Sequence, residues 1–384
     1  MKLKTLALGL VLLGAVGCGN GNGSDAGGAG TASEATTGES GDKKSVVVSG
    51  GVVCDLTKQV AADDLVVTCL MEAGQDPHAF QLTASDRREL EEADLIVYGG
   101  YMLEEGLIKT LEASGGESVA VYEEAVSEPL IGEAHDHHGH GGEKDEHGHS
   151  EEKGDHDDHD HGEAHSEEKG EDHDDQDQGE AQSEEKGDDH DDHDHAGEKG
   201  EVPDPHVWHD AEIGATSVKV IGDYLAELDP ENAEQYQERA AAIAEELGEI
   251  DGWIQTQIET IPEGQRQLVT SHDAFQYYAA AYGMRVPGTL RGMNHETPSA
   301  QDLARLTDKV KDLKVPAIFS ETLTTELAPL ETVARAAEVK LAEKPLFVDG
   351  PGDEASAAPT YQDMLEVNTC TIANGLGGSC TPRN

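Results

Sequence analysis

Short apolar runs alternate with amphipathic stretches through the first half of the chain. The apolar runs predict four strands, at Ser45–Gly51, Leu65–Leu70, Asp94–Gly100 and Ser118–Tyr122. The stretches between them predict helices at Val53–Ala62, Ser85–Ala93 and Met102–Ala113. Strands that alternate with helices favour a parallel sheet covered on both faces, because each helical crossover packs back onto the sheet.

The same alternation returns in the second half. Strands are predicted at Gln267–Thr270, Ala317–Ser320 and Pro345–Val348. Helices are predicted at Ala274–Tyr282, Pro298–Leu313, Leu330–Glu338 and Thr360–Asn374. We therefore expect an α/β protein of two lobes, each with a parallel sheet of about four strands flanked by helices.

Two further helical patterns lie between these halves. The first, Ala211–Leu228, is ended by the Asp229-Pro230 pair. The second, Glu231–Ile261, contains no internal proline and would be about 45 Å long as a helix. A helix of that length is expected to be a spine joining the lobes. The expected boundaries are 45–230 for the N-terminal lobe, 231–261 for the spine and 262–384 for the C-terminal lobe.

A polar insert interrupts the N-terminal lobe at 133–201. It holds 29 acidic residues and 5 lysines, so it carries −24 of the formal charge of −54, and it holds 14 of the 19 histidines. The pentapeptide Ser-Glu-Glu-Lys-Gly begins at Ser150, Ser166 and Ser183. So little apolar surface predicts a disordered segment, and histidines among carboxylates favour weak, exchangeable binding of zinc-like ions. The strongly acidic chain argues against nucleic acid as a partner.

The N-terminus is typical of an export signal. Lys2 and Lys4 precede the apolar run Leu6–Val16, which is too short to span a bilayer comfortably. The run ends in Ala-Val-Gly before Cys18, as in a bacterial lipobox, so 1–18 is expected to be a lipoprotein signal peptide with Cys18 lipidated. Residues 19–44 are expected to form a flexible tether to the membrane. The alternative is an ordinary cleaved signal; both place the protein outside the cytoplasm.

Four cysteines remain after Cys18, and none forms a Cys-x-x-Cys pair. In an oxidising compartment this favours two disulfides over a cysteine zinc site. Cys370 and Cys380 would close a short glycine-rich loop. Cys54 and Cys69 would join the start of a helix to the adjacent strand.

The residues that could bind a metal lie where predicted strands end. The tripeptide Asp-Pro-His occurs twice, ending at His78 and at His206, 128 positions apart. His272 and Asp349 each follow a strand of the second half. Ligands of such sheets bind beyond the carboxyl ends of the strands. Three imidazoles and one carboxylate suit tetrahedral zinc.

Several motifs resemble those of the cluster A-I solute-binding proteins of ABC importers, the ZnuA/TroA-like metal receptors. The resemblance covers about residues 45–380 outside the insert. The motifs are Gly74-Gln-Asp-Pro-His78, Ala93-Asp-Leu-Ile-Val97, Asp204-Pro-His-Val-Trp208, Asp229-Pro-Glu-Asn232, Ser271-His-Asp-Ala-Phe275 and Phe319-Ser-Glu321.

The resemblance implies a ligand set and further candidates. His78, His206 and His272 stand at the family's ligand positions, and Asp349 or water would be the fourth ligand. His209 stands where the family usually has an apolar residue, so it could support a ligand or replace one. Glu321 could accept a hydrogen bond from a ligand histidine.

The function expected from these features is capture of zinc by an exported, monomeric lipoprotein and its delivery to an ABC transporter permease. No catalytic step is expected. Three alternatives stay open: a manganese or iron receptor of the same fold, an extracytoplasmic zinc buffer in which the insert is the active part, and a zinc hydrolase.

Overall fold

The computed structural model describes residues 43–114, 116–133, 201–292, 297–324 and 326–383. The strands are β1 (Ser45–Val48), β2 (Val66–Cys69), β3 (Leu95–Tyr98), β4 (Ser118–Ala120), β5 (Ile131–Glu133), β6 (Glu201–Pro203), β7 (Gln267–Thr270), β8 (Arg285–Thr289), β9 (Ala317–Ile318) and β10 (Lys340–Leu341). The helices are α1 (Gly51–Ala61), α2 (Ala84–Glu92), α3 (Glu105–Ser114), α4 (Val121–Ala125), α5 (Ala211–Leu228), α6 (Ala233–Glu259), α7 (Gln276–Ala281), α8 (Ala300–Leu313), α9 (Ala328–Ala337) and α10 (Tyr361–Gly375). Within these ranges, no helix combines the length and the apolar character that crossing a membrane requires.

The N-terminal sheet has the expected parallel form. Its strand order is β2-β1-β3-β4, and every pairing is parallel. The central strand β1 is buried on both faces: Val46 and Val48 join the main core, while Val47 packs with Ile96 and Leu107 on the other side. This two-sided burial is why the strand is continuously apolar rather than alternating.

The C-terminal half holds shorter parallel strands. β7 pairs with β8, and β9 pairs with β10. A hydrogen bond of 2.9 Å from the Phe319 N–H to the Val269 carbonyl joins the two pairs. The overall α/β arrangement of two parallel-sheet halves flanked by helices is therefore confirmed.

The strand predicted at 345–348 is wrong, since it forms only a single parallel bridge between Leu346 and Glu321. The Phe347 N–H donates to Asn368 Oδ1 at 2.8 Å, and Asn368 Nδ2 donates back to the Phe347 carbonyl at 2.6 Å. The next carbonyl, of Val348, accepts from a tryptophan side chain. Leu346 itself makes both backbone hydrogen bonds of the bridge, to the Ser320 carbonyl and from the Thr322 N–H, each at 2.9 Å. Side chains take the backbone groups of the next two residues, and the pairing goes no further.

Several short elements also differ from expectation. The chain turns from β4 directly into α4, so the fourth strand ends at Ala120 rather than Tyr122. β8 and β10 were not predicted. The ends of the insert are paired: β5 and β6 are antiparallel, with Glu133 opposite Glu201, so both boundary residues belong to strands.

The long helix α6 runs for 27 residues, about 40 Å. Its buried positions recur at helical spacing, for example Tyr236, Ala240, Ala244 and Leu247. It packs against α1 of the first half, α10 of the second and α5 between them. One apolar cluster continues from the N-terminal sheet through α5 and α6 to α10. The spine therefore shares a core with both halves.

Candidate metal centre

The structure brings together four side chains from distant parts of the sequence. His78 lies in the loop after β2, His206 follows β6, His272 follows β7, and Asp349 follows Val348. One ligand atom from each lies within 4.8 Å of the others. His78 Nε2 and His206 Nε2 are 3.2 Å apart, and His206 Nε2 lies 3.9 Å from Asp349 Oδ1.

These separations match a tetrahedral metal shell. With bonds of about 2.1 Å, two ligand atoms of a tetrahedral zinc ion are about 3.4 Å apart. The separations run from 3.2 Å to at most 4.8 Å and so include that spacing, which small adjustments of the side chains would reach. The four residues are therefore arranged as three nitrogen donors and one oxygen donor around one point.

The group is largely withdrawn from solvent. His206 and His272 are fully buried, Asp349 is 8% exposed, and His78 is partly exposed. Water therefore has little access to most of the shell, so a bound cation would interact strongly with the donors.

Carboxylates hold the rings of the two buried candidate ligands, His206 and His272. Asp204 Oδ1 lies 2.7 Å from His206 Nδ1, and Glu321 Oε2 lies 2.6 Å from His272 Nδ1. A proton held on Nδ1 leaves the Nε2 lone pair for a metal. The other oxygen of Glu321 accepts the His272 backbone N–H at 3.0 Å, so one side chain orients both the ring and its loop.

The two Asp-Pro-His tripeptides use their aspartates in the same local way. Asp76 Oδ1 accepts the His78 backbone N–H at 2.9 Å, and Asp204 Oδ1 accepts that of His206 at 3.0 Å. Sequence reasoning did not identify the role of Asp204. The repeat of aspartate two residues before each histidine was the signal that could have found it.

Burial and charge shift the proton equilibria of the site. Burial raises the pKa of Asp349 to about 7, although the neighbouring His206 works against this shift. Burial alone lowers the pKa of His206, but the hydrogen bond and charge of Asp204 outweigh it, so the net pKa lies above the usual value. Protons therefore compete with a metal for both groups near neutral pH.

His209 lies beside this group and is not part of it. The ring is fully buried and stacks on Phe275 with centroids 4.2 Å apart. Burial, and then the charges of His206 and His272, hold the pKa of His209 well below its usual value. A neutral ring in an aromatic stack fits a packing role behind the four candidate ligands.

The structure contains both expected disulfides. Cys54–Cys69 joins α1 to the end of β2, upstream of the loop that carries His78. Cys370–Cys380 ties the end of α10 to the C-terminal segment. Cys18 and the insert at 134–200 lie outside the described residues.

Similar proteins are known over nearly the whole length of the chain. The manganese-binding lipoprotein MntA of Halalkalibacterium halodurans is 27% identical over 346 residues, which is 90% of this chain and 92% of that protein. The zinc-binding protein TroA of Treponema pallidum is 27% identical over 338 residues, which is 87% of this chain and 89% of that protein.

A solved structure and a family model agree with these similarities. The structure of the periplasmic zinc-binding protein TroA of Treponema pallidum matches with a TM-score of 0.65, covering 87% of this chain and 99% of that one. The model of the ZnuA family, described as zinc-uptake complex component A, periplasmic, matches residues 46–375. The chain therefore belongs to the ZnuA family.

Proposed function

We propose that the protein is an extracytoplasmic receptor that captures zinc between its two halves and delivers it to the permease of an ABC transporter. The observation that carries this proposal is the convergence of His78, His206, His272 and Asp349, whose ligand atoms lie within 4.8 Å of one another. Two of these residues come from each half of the chain, so binding a cation would hold the halves together.

The donor set supports zinc as the metal. Imidazole nitrogens suit zinc, whereas carboxylate, carbonyl and water oxygens suit manganese. Three of the four donors are nitrogens, and carboxylates hold two of these rings ready for a metal. Manganese is the second candidate, because relatives of similar identity are named for manganese and for zinc.

The surrounding carboxylates support binding rather than catalysis. A zinc hydrolase needs a carboxylate beside an open coordination position. Asp204 and Glu321 instead engage the Nδ1 atoms of the ligand rings. A metal held by four protein donors would be carried as cargo, with no chemical step.

The proposed location is the outer side of a bacterial membrane, with Cys18 as the lipid anchor and 19–44 as the tether. Two relatives are named as lipoproteins, one of them as the substrate-binding lipoprotein of a metal ABC transporter, and these names support the placement. The partners are then the metal ion, the membrane through its lipid and the permease, and the receptor would act as a monomer without nucleic acid.

Metal analysis of protein purified without a histidine tag tests the proposal. We expect one tightly bound zinc per chain after dialysis against a weak chelator, and displacement by manganese only at a large excess. Protein that retains no tight metal would contradict it, and protein that retains manganese in preference to zinc would support the second candidate.

A further inference from the structure

The turn after β1 touches the loop that carries Asp349. Gly51, the first residue of α1, lies so close to this loop that a Cβ atom added to it would be 2.5 Å from the Asp349 carbonyl oxygen. On the other side, a Cβ added to Gly350 would be 2.7 Å from the Gly51 Cα. Real Cβ atoms essentially never approach other heavy atoms so closely. The absence of a side chain on both residues therefore permits this contact between the halves.

The same turn also supports the loop of His78. A Cβ on Gly50 would lie 2.6 Å from the Cβ of Met71. The Met71 N–H donates to the Ser49 carbonyl at 2.9 Å. Met71 begins the segment that leads to His78. One turn, 49–51, thus contacts the loops of two candidate ligands, one from each half of the chain.

Contacts made by the residues on either side of Asp349 hold its backbone in place. The carbonyl of Val348, directly before it, accepts the Trp208 indole N–H at 2.8 Å. Gly350, directly after it, packs on Gly51. Because only one residue separates these two fixed points, the backbone of Asp349 has little freedom. Its carboxylate is thereby kept beside the histidines, with Oδ1 3.9 Å from His206 Nε2.

The geometry points to Gly51 as a positioning residue that sets the oxygen ligand of the metal site. A side chain at this position would push the Asp349 backbone away and withdraw its carboxylate from the three imidazoles. The site would then hold a metal through nitrogen donors alone. Since oxygen donors favour manganese over zinc, Gly51 would influence the choice of metal as well as the affinity. This inference rests on the proposed function.

Gly283 provides a matched control. Gly51 has φ +55° and Gly283 has φ +65°, so alanine is disfavoured by the backbone at both positions. A Cβ on Gly283, however, meets no atom within 4 Å. Gly283→Ala therefore reproduces the backbone strain without the contact to Asp349.

The test is a double-mutant cycle in the full-length protein. Zinc and manganese dissociation constants are measured by competition with a chelator tight enough to exclude weak sites, for the parent, Gly51→Ala, Asp349→Ala, the double variant and Gly283→Ala. Gly350→Ala is made in parallel, because it disturbs the same contact from the opposite side. It takes the place of Gly51→Ala if that variant fails to fold.

We expect Gly51→Ala to weaken zinc binding by about 10- to 100-fold, the range found when a group that orients a metal ligand is removed. In the Asp349→Ala background the same change should have almost no further effect. Both single variants should raise the preference for zinc over manganese, and Gly283→Ala should bind both metals as the parent does.

Two results would overturn the inference. One is an equal loss of zinc affinity from Gly51→Ala with and without Asp349, which would indicate general damage to the fold. The other is unchanged zinc affinity in both Gly51→Ala and Gly350→Ala. A parent protein with no tight site would instead overturn the proposed function, and this inference with it.

Discussion

The indole N–H of Trp208 donates a 2.8 Å hydrogen bond to the carbonyl of Val348, which lies 140 residues away in the other half of the chain. Trp208 comes two residues after one candidate ligand, His206, and Val348 comes one residue before another, Asp349. The bond is buried, with Trp208 only 1% exposed. It therefore helps to fix the distance between the loops of two candidate ligands that belong to different halves.

Trp208→Phe tests this bond, because it removes the donor and keeps an aromatic ring. Losing the partner of a buried carbonyl should cost about 1–3 kcal/mol in the free energy of unfolding, and zinc binding should weaken. The control is Trp253→Phe, since Trp253 also donates to a backbone carbonyl, that of Thr381, but near the surface. Denaturant unfolding and zinc titration should separate the two variants; equal effects would contradict the role given to Trp208.

The carboxylates behind the histidines should control affinity without changing the number of bound metals. Asp204→Asn and Glu321→Gln replace the acceptors that hold the Nδ1 atoms of His206 and His272. Each should weaken zinc binding by about 10- to 100-fold and leave one site per chain. Glu338→Gln, at an exposed helix end, is the control. Unchanged affinity in both site variants would show that the carboxylates do not orient the rings.

Metal binding should weaken as the pH falls through neutrality. Burial raises the pKa of Asp349 to about 7, and Asp204 brings the pKa of His206 above its usual value. A metal must displace these protons, and each displaced proton changes the affinity by about tenfold per pH unit. Titrations between pH 5 and pH 8 should show a shallower slope for Asp349→Asn than for the parent. Identical slopes would contradict proton competition at Asp349.

The metal-free protein should respond to pH in the opposite direction. The folded pKa of Asp349 is raised above its ordinary value of 3.8. This carboxyl therefore stabilises the fold fully below about pH 4, and the stabilisation is lost as the pH rises through about 7. Asp349→Asn should flatten this part of the stability profile measured by denaturant unfolding without metal.

The strands and the candidate histidines could be predicted from the sequence, because each depends on a pattern of neighbouring residues. The continuous apolar runs before His78 and His272 predicted strands, and the rule that ligands bind beyond strand ends then selected these histidines. The Asp-Pro-His repeat marked His78 and His206 as equivalent. These predictions required no knowledge of contacts between distant residues. The structure brings all three histidines to one place.

Other parts depended on contacts between distant residues. The pairing expected at 345–348 stops after Leu346, where the side chains of Asn368 and Trp208 take the backbone groups of Phe347 and Val348. Glu321 reaches His272 across 49 residues. The sequence suggested Glu321 as a partner of a ligand histidine but did not identify which one. The contact of Gly51 with Asp349 had no local signal. A glycine after a strand predicts a turn but does not identify the residue that packs against it.

The insert can be removed at a point that the structure defines. Glu133 and Glu201 lie opposite each other in the antiparallel pair of β5 and β6, so an Asn-Gly turn could replace 134–200. We expect this variant to fold and to keep one tight zinc per chain, while the weak sites of the insert disappear. Calorimetry that found no tight site would favour the zinc-buffer alternative over capture between the halves.

A zinc and manganese competition titration of this shortened protein, with substitutions at His272, tests whether the three histidines and Asp349 bind the metal. His272→Ala should weaken zinc binding strongly with little change in metal-free stability, and His272→Glu should keep binding but shift the preference toward manganese, because an oxygen replaces a nitrogen donor. His209→Gln should leave the affinity nearly unchanged. Zinc affinity of His272→Ala within about threefold of the parent, a difference of less than 1 kcal/mol, would contradict the assigned ligand set.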